Sequence, residues 1–318
     1  MKPCVFTGSA VAIVTPFCGD GVDLEAFDRL IERQIQGGTD AIVVCGTTGE
    51  AATLSYNERM ALIERCVRTV DRRVPVIAGS GTNSTASSIA LSKAAQSAGV
   101  DALLTVTPYY NKTTQRGLIK HFFAVADAVD KPIILYNVPS RTGVNIKPET
   151  CAELAKHERI CAIKEASGSI SAVAEIRYHC GDTLDIYSGN DDQITSALAL
   201  GAQGVISVLS NILPKETHEI CRSYFDGDSS LSDSLQLKYL DLIEALFLDV
   251  NPIPVKQAMR AMGYDVGRCR LPLCDMDPTN AEKLYSVLKQ YGLVENVKAG
   301  SVTVRRASGT GRVLQSNV

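Results

Sequence analysis

The chain has 318 residues, 45% apolar and 21% charged, with a formal net charge of −3. This is the composition of a globular protein large enough for one barrel-sized domain plus an appendage, and it excludes a disordered chain. The charge gives no global attraction to nucleic acid or an anionic membrane, and no apolar run reaches the roughly 20 residues of a membrane span.

The N-terminal stretch, ending at Pro16, lacks a small-residue cleavage site. It reads as a buried first strand, not a signal peptide. Ten cysteines are scattered through apolar stretches without a C-x-x-C pair, and His121, His157, His179 and His218 have no metal-ligand spacing to them. Free, mostly buried thiols in a reducing cytoplasm fit this better than zinc or disulfides.

Short β-branched apolar runs recur in chain order. They predict strands at Gly8–Val14, Ala41–Cys45, Val74–Ala78, Ala102–Val106, Ile133–Asn137, Cys161–Lys164, Leu184–Ser188 and Gly204–Val208. Helical patterns fill the gaps. Leu24, Phe27, Leu30, Ile31 and Ile35 form a stripe stopped by Gly37–Gly38, and Met60, Ile63, Val67 and Val70 mark the next helix. Ser84–Thr85 can cap a third helix that Gly99 ends, and Leu118, Ile119, Phe122 and Ala126 build a fourth. Further helices are expected at Leu231–Leu248, Pro254–Met262 and Pro278–Tyr291. The division expected is a barrel over 1–227, a small helical domain over 228–294 and a weakly ordered, basic tail over 295–318.

Alternating strands and helices imply a parallel sheet with right-handed crossovers, either an open doubly wound sheet or a closed (β/α)₈ TIM barrel. Polar, glycine-containing segments follow almost every strand, which favours the barrel, where all of them share one mouth. No phosphate-binding glycine fingerprint opens a helix.

Lys164 ends an apolar strand, where a charged amine is costly unless paired or deprotonated. Position alone allows a salt bridge with Glu165 or a nucleophilic amine. Burial in an apolar barrel favours a neutral amine and makes a Schiff base feasible. Neighbouring strand residues face opposite sides, so an inward Lys164 leaves Glu165 facing away. Tyr136 ends the preceding strand and can relay protons, or it can be a core residue. Arg141 can bind a carboxylate with its fork or simply be solvated. Thr47 and Thr48, between Gly46 and Gly49, can hold a small anion or form an ordinary turn.

GTTGE at 46–50, TPYYN at 107–111, YNVPSRTG at 136–143, IKEASG at 163–168, SGND at 188–191, GVISV at 204–208 and NPIPVK at 251–256 occur in order. Together, over roughly residues 7–294, the chain resembles the dihydrodipicolinate synthase branch of the pyruvate-dependent class I aldolases. TPYYN with YNVPSRTG favours that branch over sialate lyases and sugar-acid aldolases, which share the lysine and tyrosine. A silent barrel that binds keto acids is the other alternative.

The resemblance implies a cytoplasmic carbon–oxygen lyase of diaminopimelate and lysine synthesis, acting on pyruvate and L-aspartate 4-semialdehyde. It implies an imine on Lys164, Tyr136 as acid–base, and Thr47 linking Tyr136 to Tyr110 of a neighbouring subunit in a homotetramer, a dimer of dimers. Thr48 and the backbone at Ile206 would hold the pyruvate carboxylate, Arg141 that of the aldehyde, and Gly189 would line the pocket. Neither metal nor organic cofactor is implied. A lysine-feedback site would use Ala52, Tyr56, Arg59, Gly81, Asn83, Ser87 and Tyr109. This chain departs from the lysine-sensitive pattern, with Ser87 in place of a carboxylate and Tyr56 and Arg59 where histidines are common.

Overall fold

The computed structural model describes residue 2 and residues 4–295. Eight strands, β1 (Gly8–Ala12), β2 (Ala41–Val44), β3 (Val76–Gly79), β4 (Ala102–Val106), β5 (Ile133–Asn137), β6 (Ile160–Glu165), β7 (Asp185–Ser188) and β8 (Gly204–Ser207), pair in parallel. β1 joins both β2 and β8, closing the sheet into a barrel. All eight expected strands are present. β3 begins two residues later than the sequence suggested because Pro75 has no N–H to donate, and the Val76 amide instead donates to Asp101 Oδ2 at 2.8 Å.

Alternation along each strand sorts the side chains into two cores. Ala10, Ala12, Ala41, Val43, Ile77, Leu104, Ile134, Ala162 and Ile206 fill the barrel interior, whereas Val11, Ile42, Val44, Ala78, Leu103, Leu135 and Ile163 face the surrounding helices. The interior mixes alanines with larger aliphatic and aromatic side chains. Phe6 stacks on Tyr187 with ring centroids 4.2 Å apart, adding an aromatic pair to the interior core.

The helices start where the sequence has caps. Helix α1 (Leu24–Gln36) is capped by the Asp23 carboxylate and buries Phe27, Leu30 and Ile31. Helix α2 (Tyr56–Val70) opens on a reciprocal Ser55/Glu58 capping box, and helix α3 (Thr85–Ser97) on Ser84. The ring continues with α4 (Gln115–Asp127), α5 (Pro148–Leu154), α6 (Ile170–Cys180), α7 (Ile194–Ala199) and α8 (Pro214–Phe225).

Beyond them lie α9 (Ser229–Lys238), α10 (Leu240–Ala245), α11 (Ile253–Ala261) and α12 (Pro278–Gln290). The single helix expected over Leu231–Leu248 is therefore two. The backbone leaves α-geometry at Tyr239, whose ring is buried against Tyr291. All ten cysteines are free, and six of them are buried. Of the expected tail, residues 296–318 lie outside the described residues.

Helix α8 is pinned to the barrel at a carboxylate. Asp40 Oδ2 accepts from the Ser9 amide at 2.7 Å and lies 2.9 Å from His218 Nδ1. The hydrogen bond to Asp40 raises the His218 pKa above its ordinary value, against the opposing effect of burial. A pKa raised on folding stabilises the native state fully below the unfolded value and loses that contribution as pH rises through the folded one. Urea unfolding should therefore show His218→Gln less stable than the parent at pH 5.5, with the gap closing by about pH 8, well above the ordinary histidine range. A gap that widens with pH would contradict this coupling.

Candidate functional site

Loops following the strands converge at one end of the barrel, where backbone conformation is least ordinary. Cys45 and Glu50 after β2, and Tyr110 after β4, have positive φ without being glycine. Such conformations persist only where surrounding structure holds them. At Glu50 the cause is visible. The left-handed turn directs its carboxylate inward, where Oε1 accepts from Lys256 Nζ at 2.8 Å and Oε2 from the Arg270 amide at 2.9 Å.

A cavity of about 290 Å³ opens among these loops, lined by Gly46, Thr47, Tyr136, Val138, Arg141 and Asn251 on one side. Ala52, Arg59, Gly81 and Tyr109 line the same cavity. Two regions that the sequence analysis kept apart, the candidate catalytic group and part of the candidate lysine site, are thus continuous.

Lys164 and Tyr136 are register neighbours on β6 and β5. Both are inward-facing and nearly buried, at 6% and 7% exposure. Lys164 Nζ lies 4.6 Å from the centroid of the Tyr136 ring. The lysine itself does not line the cavity; the tyrosine beside it does. Among the described residues Lys164 makes no ion pair with Glu165. The Glu165 carboxylate faces away, accepting from Asn137 Nδ2 at 2.8 Å and from the Ser167 amide at 2.7 Å. Strand alternation thus removes the reading of the lysine as an ion pair with Glu165.

The remaining sequence candidates fall into three places. Thr48 is buried, and its Oγ1 accepts from Asn251 Nδ2 at 3.0 Å, which leaves its own hydroxyl proton free to donate. Arg141, exposed at the mouth, donates from Nη2 to the Asn251 carbonyl at 3.0 Å. Ile206 is fully buried on β8, outside the cavity lining. Tyr110 projects away from the chain at 90% exposure and does not line the cavity. Tyr56 and Ser87 are exposed, and Asn83 offers its carbonyl to Asn111 Nδ2.

Sequence reasoning gave no role to several residues that hold the site. Asp191 is buried, and its Oδ2 accepts from the Val208 and Leu209 amides, each at 2.9 Å, fixing the loop after β8. Burial pushes its carboxyl above the usual range, opposed by hydrogen bonds from Ser207 and those amides. Asn137 links Glu165 to Asn145 and accepts from the Ile146 amide. Asn251 joins Thr48 and Arg141. Each residue stood inside a quoted motif or beside one, but nothing in a linear motif says which partner it meets. Among the described residues no three His, Cys, Asp or Glu side chains are grouped to hold a metal, and no helix is long and apolar enough to cross a membrane.

A buried amine with no ion pair among the described residues, beside a phenol at the loop end of an eight-stranded barrel, is an arrangement suited to carbonyl chemistry through a Schiff base. Comparison with known proteins narrows the class. The sequence model of the dihydrodipicolinate synthetase family matches residues 5–291. A 4-hydroxy-tetrahydrodipicolinate synthase of Clostridium acetobutylicum is 54% identical over 291 residues, 92% of this chain and 99% of that one. Another, from Acetivibrio thermocellus, is 52% identical over 294 residues, 92% of this chain and 100% of that one. Crystal structures of dihydrodipicolinate synthases superpose closely. That from Aquifex aeolicus has a TM-score of 0.89 at 45% identity, covering 92% of this chain and all of the other. That from Thermotoga maritima has a TM-score of 0.90 at 42% identity with the same coverage. The chain belongs to the dihydrodipicolinate synthetase family and is a lyase.

Gly189 leaves just enough space beside the lysine for a residue without a side chain. A Cβ there would lie 2.5 Å from Ala166 Cβ and 3.0 Å from Lys164 Cε. Gly189→Ala should therefore displace the Lys164 side chain and slow imine formation with a keto acid by at least about tenfold, at a stability cost of about 1–3 kcal/mol. Borohydride trapping rates and urea unfolding measure the two effects. A variant with parental trapping kinetics would show that the contact does not hold the lysine.

Proposed function

We propose that this chain catalyses the 4-hydroxy-tetrahydrodipicolinate synthase reaction through an imine on Lys164. It condenses pyruvate with L-aspartate 4-semialdehyde, the branch-point step toward diaminopimelate and lysine. The observation that carries the catalytic assignment is the inward Lys164 amine, without an ion pair among the described residues and 4.6 Å from the Tyr136 ring centroid.

The Lys164 amine attacks the pyruvate ketone, and the carbinolamine loses water to give a protonated imine. The imine withdraws electrons, so the methyl group loses a proton and an enamine forms. The enamine carbon attacks the aldehyde of aspartate semialdehyde. The substrate's own amine then adds to the imine carbon, closes the ring and expels the lysine. Tyr136 moves the protons, with Thr47 linking it to Tyr110 of a neighbouring subunit. Support for this relay is that Thr47 and Tyr136 line one cavity, whereas Tyr110 is exposed, away from its own chain's site. The protein's own lysine serves as electron sink, so neither a metal nor an organic cofactor enters the scheme.

Thr48 and the backbone at Ile206 bind the pyruvate carboxylate, and Arg141 binds that of the aldehyde with its fork. Gly189 leaves room for the imine. The proposed assembly is a cytoplasmic homotetramer. Each chain is divided into a barrel over 1–227 and a helical domain over 228–294, a boundary supported by the fresh N-cap of α9 at Asp228.

Borohydride added with pyruvate should inactivate the enzyme and leave a reduced adduct on the peptide carrying Lys164, read by mass spectrometry. An adduct on a different lysine, or none, would overturn the assignment.

The degenerate lysine site is proposed to bind lysine weakly. Ser87 supplies no carboxylate. Glu50, the one acid lining the cavity among the described residues, is committed to Lys256 and the Arg270 amide, and Arg59 lines the same cavity. Losing a charged hydrogen bond costs about 1.5–3 kcal/mol, or about ten- to a hundredfold in affinity. Initial rates at fixed pyruvate should accordingly change little up to millimolar lysine. Half-inhibition below about 1 mM, the scale of a 4 kcal/mol interaction, would refute this reading.

A further inference from the structure

Strands β7 and β8 part where the site begins. Their ladder sets Tyr187 beside Gly204 and Ser188 beside Val205 and ends there, whereas β8 stays paired to β1 through Ile206 and Ser207. Ile206 thus has a strand partner at Ala10 on one side and lies past the end of the β7 ladder on the other. The loop that leaves β7 runs beside the lysine, since a Cβ on Gly189 would stand 3.0 Å from Lys164 Cε. The amine side and the Ile206 side of the site therefore sit on two segments that this ladder does not reach.

Asp191 spans the gap. It belongs to the loop after β7, and its Oδ2 accepts from the Val208 and Leu209 amides in the loop after β8, each at 2.9 Å. A buried carboxylate oxygen that takes two amide protons makes a strong, directional link. Both ends of the link are braced. Gln236 on α9 donates from Nε2 to the Asp191 carbonyl at 2.9 Å and accepts from the Ile194 amide at 3.1 Å, holding the short turn Asp191–Gln193. Asn211 donates from Nδ2 to the Val208 carbonyl at 3.1 Å and to the Ala12 carbonyl at 2.9 Å. Asn211 thereby fixes the β8 loop against β1, and Asp191 fixes it against the loop that carries Gly189.

We propose that Asp191 is the positioning residue that sets the separation between the Lys164 amine and the backbone at Ile206. A keto acid then presents its ketone to the first and its carboxylate to the second. This role presupposes the imine on Lys164 and the carboxylate contact at Ile206 proposed above. It makes the preference for a carboxylate beside the ketone depend on where Asp191 holds the β8 loop.

Borohydride trapping on the full chain tests this, with pyruvate and with acetone, a ketone that has no carboxylate. D191N keeps an oxygen where the two amides donate, whereas D191E keeps the charge but moves the oxygens outward by one methylene. Half-saturating pyruvate should rise at least about tenfold in D191E and change less than about threefold in D191N. Trapping with acetone should change less than about threefold in both variants, which a general loosening of the site would not allow. Urea unfolding checks that each variant is folded, and D191A replaces D191E if the longer side chain prevents folding. Parental pyruvate half-saturation in D191E, or equal losses with both ketones, would overturn the proposal. So would a D191N that loses pyruvate as D191E does, because charge and not placement would then govern the preference. In the parent, an adduct away from Lys164, or no preference for pyruvate over acetone, would instead refute the reading beneath this role, and the role with it.

Discussion

The mouth of this barrel is organised around a fully buried ion pair. Glu50, in the loop after β2, meets Lys256 on α11, and both side chains are essentially removed from solvent. Two charges in a protein interior are tolerable only when every donor and acceptor finds a partner. Here they do. The Lys256 ammonium donates to Glu50, to the Thr15 carbonyl at 3.1 Å and to the Arg268 carbonyl at 3.0 Å, which uses all three protons. The Phe17 ring lies under the same ammonium, 4.4 Å from Nζ, and Arg270 stacks on that ring. Burial lowers the Lys256 pKa, and Glu50 opposes that shift. One side-chain pair thereby ties together the loops after β1 and β2, helix α11 and the segment around residue 270. Thr47 and Thr48 share the Glu50 loop, and Asn251, just before α11, joins that loop to Arg141.

Among the described residues two lysines are buried, and their surroundings differ. Lys256 has its hydrogen-bonding capacity filled by one carboxylate and two carbonyls. Lys164, at a similar depth, has an aromatic face nearby and no ion pair among the described residues. A satisfied ammonium is inert because reaction would break several good hydrogen bonds at once. An amine without such bonds has little to lose on attacking a carbonyl. Helices and strands set this contrast jointly. Strand alternation turns Glu165 away from Lys164, while the left-handed turn at Glu50 brings a carboxylate to Lys256.

Much of the fold was legible in advance. Local patterning found all eight strands, because each barrel strand is a short, doubly buried apolar run between polar loops. The boundaries were less legible where backbone chemistry intervened, at Pro75 before β3 and at Tyr239 between α9 and α10. The motif residues Thr47, Tyr136 and Arg141 were legible as a group because the barrel delivers every post-strand loop to one end. Their supports were not, since Asn251 with Thr48, and Asp191 with the amides of Val208 and Leu209, meet across long stretches of chain.

The sequence by itself therefore determined the strand–helix alternation, the closed parallel barrel and the set of loops that face one another, because these follow from periodicity and from the rule that parallel strands share a direction. It did not determine which buried lysine has no ion pair among the described residues, nor that the candidate catalytic and candidate lysine-site residues line one continuous cavity. Only tertiary structure decided those. Burial and hydrogen-bond satisfaction are properties of contacts such as Glu50 with Lys256, whose partners stand 206 positions apart and meet only when the barrel closes and α11 packs against it.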